Sequence, residues 1–157
     1  MDRAKKGCKR HVITDAGGVP LLVECTPANV RDEAPFVAML DALPPVRQPK
    51  GPPRYKPGEA VGDAAYGFAH IVRQVVERRV AALLAPRGKP GRPVTHGSGL
   101  GKVRYVVERT VAWLANDRRI AQCYERTGAA WQAFNELACC LICVGKLRRL
   151  ADEKMVA

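Results

Sequence analysis

The chain has 157 residues, of which 47% are hydrophobic, and a formal charge of +11 from 26 Lys and Arg against 15 Asp and Glu. That is enough apolar material for one compact domain with a core, which excludes wholesale disorder, and too little length for two ordinary domains. No apolar run reaches the ~18 residues of a membrane span, and the basic start MDRAKKGCKR has no apolar stretch behind it. A soluble, cytoplasmic protein with no membrane partner is therefore expected, and the charge points to a polyanion, most simply nucleic acid.

In chain order, Arg10–Thr14 and Val19–Cys25 are rich in Val, Ile and Leu, and Asp15-Ala16-Gly17-Gly18 between them supplies turn chemistry, so a hairpin is predicted. Thr26-Pro27-Ala28-Asn29 ends its second strand. Asp32 suits an N-cap and Pro35 a first helical turn, and Phe36, Met39, Leu40 and Leu43 recur at helical spacing, which predicts a helix over 33–43. Residues 44–58, PPVRQPKGPPRYKPG, hold six prolines and several cations and can be neither helix nor central strand.

Glu59–Asp63 is a short strand candidate. Phe68, Ile71, Val72, Val75 and Val76 mark a helix over about 67–79, and Val80–Ala85 reads as a buried strand closed by Pro86. A basic Gly/Pro-rich loop follows over 86–102. Val103, Val106, Val107, Val111 and Leu114 mark a helix over 103–116. A last helix over 128–149 places Phe134, Leu137, Leu141 and Val144 on its inner face and ends in Lys146, Arg148 and Arg149, which suit the negative end of a helix dipole. A hairpin followed by strand–helix–strand units predicts an α/β fold, a mixed sheet with helices on its faces. Residues 1–150 form the domain and 151–157 a tail.

Three constellations could carry chemistry. Cys140-Leu-Ile-Cys143 has the spacing of half a zinc site, but no second pair exists, and its apolar setting favours cysteines acting as small hydrophobes. Gly97-Ser98-Gly99-Leu100-Gly101-Lys102 resembles a phosphate loop, yet Val103 stands where a magnesium-binding hydroxyl should and His96 where the first glycine should. The bland alternative is a basic loop that touches phosphates.

The third is a pair of acids. In RYVVERTVAWL (104–114), Arg104, Glu108 and Ala112 share one helix face opposite the valines. Such an Arg–Glu pair is usually a solvated salt bridge; the functional alternative is a carboxylate presented beside a sheet. Asp63 sits where a strand ends, the usual ligand edge of an open α/β sheet. Two such acids can hold Mg²⁺, which prefers oxygen ligands and phosphate substrates.

At these residues the chain resembles the catalytic region of DDE-type bacterial insertion-sequence transposases. The matching segments are DRAKKGCKRHVITDAGGVPL (2–21), TPANVRD (26–32), VGDAAYG (61–67), HGSGLGKVRYVVER (96–109), RYVVERTVAWL (104–114), DRRI (117–120) and YER (124–126), an ordered series over about residues 2–150. The resemblance implies an RNase H-like fold and metal-dependent cutting and joining of DNA. Three carboxylates hold two Mg²⁺ or Mn²⁺ ions; the second acid maps onto Asp63 and the third onto Glu108. Arg104, in an Arg-x-x-x-Glu pattern, maps onto a DNA-backbone role, and Lys102, Arg109, Arg118 and Arg119 are expected to bind DNA beside it.

Departures accompany the match. The family's Tyr would fall at Gly101 and its Lys at Ala115. The family's first catalytic Asp lies on a strand before the KRHVITD segment, where this chain begins, and Asp15 maps to the hairpin turn instead. The expectation is therefore a sheet lacking its first strand and a chain inactive alone. It would be completed by an upstream-frame product or a homodimer and act on transposon-end and target double-stranded DNA. The alternative is a non-catalytic basic DNA-binding remnant.

Overall fold

The computed structural model describes residues 7–84 and 100–156. The chain divides into two compact units. One joins the N-terminal residues through Val30 to Val106 and all that follows; the other is the continuous stretch Arg31–Tyr105.

In the first unit, strand β1 (Cys8–Thr14) pairs antiparallel with β2 (Pro20–Pro27), in a register that sets Val12 opposite Val23 and Arg10 opposite Cys25. The hairpin is longer at its open end than the sequence predicts. Its turn is built by Asp15, whose carboxylate accepts the Gly17 and Val19 amides at 2.9 and 2.7 Å, the local competition with regular backbone pairing that makes Asp a turn residue. Alternation sends Val12, Val23 and Cys25 to one face, where they meet Leu114, Ile120, Trp131, Ala138 and Cys139.

Helix α3 (Leu100–Ala115) precedes a short helix α4 (Arg118–Ala121), and α5 (Gly128–Val156) closes the unit. Asp117 caps α4 by accepting the Arg119 amide at 3.0 Å. Thr110 of α3, fully buried, donates its hydroxyl to the Gly18 carbonyl at 2.9 Å and so ties the hairpin turn to the helix. Gln132 of α5 offers its side-chain amide to the outer edge of β2: its oxygen accepts the Cys25 amide at 2.8 Å and its nitrogen donates to the Val23 carbonyl at 2.7 Å. One side chain thereby does at that edge what a neighbouring strand would do.

The orientation of α5 corrects the sequence reading. Trp131, Asn135, Ala138 and Cys139 face the core, while Leu137, Leu141 and Val144 are 56%, 59% and 43% exposed. The helix is apolar around more than half its girth, so helical spacing alone fits two stripes and does not choose between them. The bulk of Trp131 and the reach of Gln132 select the stripe that docks. The helix also continues past Lys146, Arg148 and Arg149 to Val156, so these residues are not at its dipole end. By length and a mean hydropathy of 1.2 over 18 residues α5 could cross a membrane; its packing on β2 is what places it in this unit. Burial pushes the Cys25 and Cys139 thiols up to about 11, so both remain neutral, as packed apolar groups do.

In the second unit, α1 (Phe36–Asp41) begins later than the sequence predicts. Pro35, which has no N–H to donate, stands at the N-cap, and single turns closed by the Ala34 amide on the Arg31 carbonyl and the Phe36 amide on the Glu33 carbonyl lead into the helix. Strands β3 (Glu59–Gly62) and β4 (Ala81–Leu84) pair in parallel, Val61 opposite Leu83, and α2 (Ala69–Glu77) connects them. This is a βαβ unit. Leu40, Ile71, Val75, Val80 and Leu84 form its core, with Phe36, Tyr66 and Phe68 against them. Arg78 grips the Asp41 carboxylate with two hydrogen bonds of 2.7 and 2.6 Å.

The fold is α/β, as expected. The expected single mixed sheet is not what the described residues form: they make two two-stranded sheets, one antiparallel and one parallel. At the outer edge of β2, Gln132 takes the Val23 carbonyl and the Cys25 amide.

Candidate catalytic and DNA-binding residues

Asp63 follows directly on the last residue of β3, at the carboxyl end of the parallel pair, the end where open α/β sheets bind ligands. Its position is fixed locally. Its Oδ1 accepts the Ala65 amide at 2.9 Å, and its carbonyl accepts the Tyr66 amide at 3.1 Å, which makes a tight turn. Gly62 lets this turn close: a Cβ there would lie 2.9 Å from Leu84 Cδ2 and 3.3 Å from the Tyr66 ring. Tyr66 in turn packs on Phe36, ring centroids 4.9 Å apart. Burial first, then the charges of Asp63, Asp32 and Glu33, hold its phenol above the usual tyrosine range.

Glu108 lies on α3 and is exposed. It belongs to the first unit and Asp63 to the second, and each is placed within its own unit. Among the described residues no group of three or more His, Cys, Asp or Glu side chains converges on one point. Asp15 is committed to the hairpin turn through its two backbone amides.

Of the expected DNA-binding cations, Arg109 donates to the Gly17 carbonyl at 3.0 Å and lies 5.0 Å over the Trp113 ring. Arg119 bonds Glu125 at 3.0 Å and covers Phe134 at 4.5 Å. Arg118 is exposed at the start of α4. The side chains of Lys102 and Arg104 lie outside the described residues, as does the 86–99 stretch with its phosphate-loop-like glycines.

Two residues have tasks that the sequence does not disclose. Lys146 donates to the Gly17 carbonyl at 2.6 Å and sits 5.4 Å over Trp113, so with Arg109 it clamps the hairpin turn between α3 and α5. Gln132 holds β2. Neither has a sequence signal, since a Gln or Lys on an amphipathic helix reads as a solvated position.

The family is established by comparison. A family model described as the transposase DDE domain matches residues 2–144, and the chain belongs to the DDE-domain transposases of bacterial insertion sequences. Among relatives, it is 42% identical over 154 residues to a protein described as a transposase for insertion sequence element IS402 in Burkholderia cepacia, covering 98% of this chain and 70% of that one. It is 30% identical over 136 residues to one described as a transposase for insertion sequence element IS6501 in Brucella ovis, covering 85% of this chain and 95% of that one. No solved structure matches the chain.

Proposed function

We propose that the chain takes part in transposition in the bacterial cytoplasm, as part of a transposase with an RNase H-like catalytic domain that cuts DNA at insertion-sequence ends and joins those ends to target duplex. The observation that carries this reading is Asp63 at the carboxyl end of a parallel β-strand within a chain of this family. Asp63 and Glu108 are two of the carboxylates, and their hard oxygen donors suit Mg²⁺ or Mn²⁺. Bound there, such ions supply charge stabilisation for in-line displacement at a phosphodiester. The chain's own contribution is to present the two carboxylates on rigid elements and to hold the DNA backbone with Arg104, Lys102, Arg118 and Arg119. Arg109 steadies the hairpin beside them.

Asp15 is committed to its turn, which leaves Asp63 and Glu108 as the candidate acids of this chain. A basic DNA-binding remnant without chemistry shares the electrostatic half of this reading. The experiment that separates them is a cleavage assay of the protein on element-end DNA with Mg²⁺. Cleavage abolished by Asp63→Asn and by Glu108→Gln, with binding in EDTA intact, supports catalysis. Activity within a few-fold of the parent, where loss of a metal ligand should cost several kcal/mol, removes the residue from the site.

A further inference from the structure

The proline-rich stretch between α1 and β3 is not an irregular connection. Val46 and Arg54 pair antiparallel through two hydrogen bonds of 2.8 Å each. The Gln48 side chain adds a bond to the Val46 carbonyl at 3.2 Å. Pro44, Pro45, Pro49, Pro52, Pro53 and Pro57 restrict the backbone before, within and after this closed loop. Gly51 at its tip has φ +93 with nothing within 4 Å of the place a Cβ would take, so the tip projects into open space. The result is a short finger with little conformational freedom left to lose on binding.

The finger carries Arg47, Lys50, Arg54 and Lys56, all exposed, and residues 44–58 include no acid. Lys56 is the cation whose charge also reaches Asp41, which Arg78 already neutralises. Between Arg54 and Lys56 stands Tyr55, 65% exposed. Of the other Phe and Tyr residues of this unit, Phe36, Tyr66 and Phe68 pack against its core, while Tyr105 on α3 is 61% exposed. A large ring left in water between two cations on a stiffened frame combines the two elements that take single-stranded nucleic acid: a π-face for a base and positive charge for the adjoining phosphates.

We propose that residues 46–56 form a finger that stacks an unpaired DNA base on Tyr55 while Arg54 and Lys56 hold the flanking phosphates. This rests on the reading that the chain acts on DNA and deepens it: one DNA form the chain takes is locally single-stranded. Duplex, whose bases are already stacked on one another, would meet only the finger's cations.

The test compares binding of the full chain to a short oligothymidylate and to a duplex hairpin at one fixed salt concentration. Tyr55→Leu should weaken oligothymidylate binding about tenfold, the range of one base–aromatic stack, and leave duplex binding within about twofold. Tyr55→Phe should restore the parent affinity, because the ring and not the hydroxyl does the stacking. The double substitution Arg54→Gln with Lys56→Gln should weaken both probes and reduce the salt slope by about two. Because these side chains are exposed, all variants should keep the parent's thermal melt. Equal binding by parent and Tyr55→Leu, or an equal loss on both probes, overturns the finger while leaving the proposed function standing. Failure of the parent to bind either probe overturns both.

Discussion

Arg79 is the one described non-glycine residue with positive φ, at 60°. It follows α2, and its amide donates to the Val76 carbonyl at 2.8 Å while the Val80 amide reaches back to Val75 at 3.3 Å. These two bonds close the helix end in the manner that favours glycine at this position, and the buried pair Val75 and Val80 supplies the accompanying apolar contact. An L-residue in that conformation costs about 1–2 kcal/mol, partly offset by the greater freedom of glycine in the unfolded chain. Arg79→Gly should therefore raise stability by about 0.5–1 kcal/mol, read as a higher urea midpoint with unchanged slope. A β-branched residue there should lower it. The Asp41–Arg78 pair makes a second prediction. The two hydrogen bonds from Arg78 hold the Asp41 carboxyl below its ordinary 3.8. A depressed carboxylate contributes its stability above the unfolded value and loses it as pH falls through the lower folded value. Asp41→Asn should thus lose stability at neutral pH and show a shallower decline through acid, seen by thermal melts across pH.

At the scale of elements, the hairpin shows how one glutamine can finish a sheet. Gln132→Ala should leave the Cys25 amide and Val23 carbonyl without their partner and cost about 2 kcal/mol, with faster hydrogen exchange at Cys25 as the local readout. Gln132→Glu retains the acceptor and loses the donor, so the Cys25 amide should exchange more slowly in this variant than in Gln132→Ala. The elements differ in how far sequence discloses them. The hairpin is legible because Asp15 and the two glycines carry their own turn chemistry. The parallel pair is legible because short apolar runs flank a strongly amphipathic helix. The start of α1 is not, because Asp32 has the chemistry of a cap while Pro35 controls where helical donors begin. Nor is the docked face of α5, since Leu137, Leu141 and Val144 are as periodic as Trp131, Ala138 and Cys139. Only the partner surface, with Cys25 and Val23 waiting for an amide, decides between them. Asp63 stands out by its place at a strand end, while the contacts of Arg109 and Lys146 with the Gly17 carbonyl join residues too far apart in sequence for local patterns to disclose.

For the whole molecule, the charge of +11 should dominate association with DNA. Duplex affinity should fall steeply and linearly in log–log form with rising salt, as the gain from counterion release shrinks; an affinity independent of salt would contradict an electrostatic surface. The unit built from both ends of the chain has a further consequence, for synthesis rather than for binding. Cys25 finds its partner Gln132 only 107 residues later, and Thr110 reaches Gly18 across 92. At about 5–20 residues per second, the hairpin emerges from the ribosome and waits roughly 5–20 seconds for the helices that cover its apolar face. Meanwhile Arg31–Tyr105 is contiguous and can close its βαβ core as soon as β4 is out. The order of folding during translation is therefore the reverse of the order of synthesis for these two parts: the segment made first settles last. In that interval the bare face of Val12, Val23 and Cys25 is the part of the nascent chain that chaperones would be expected to hold.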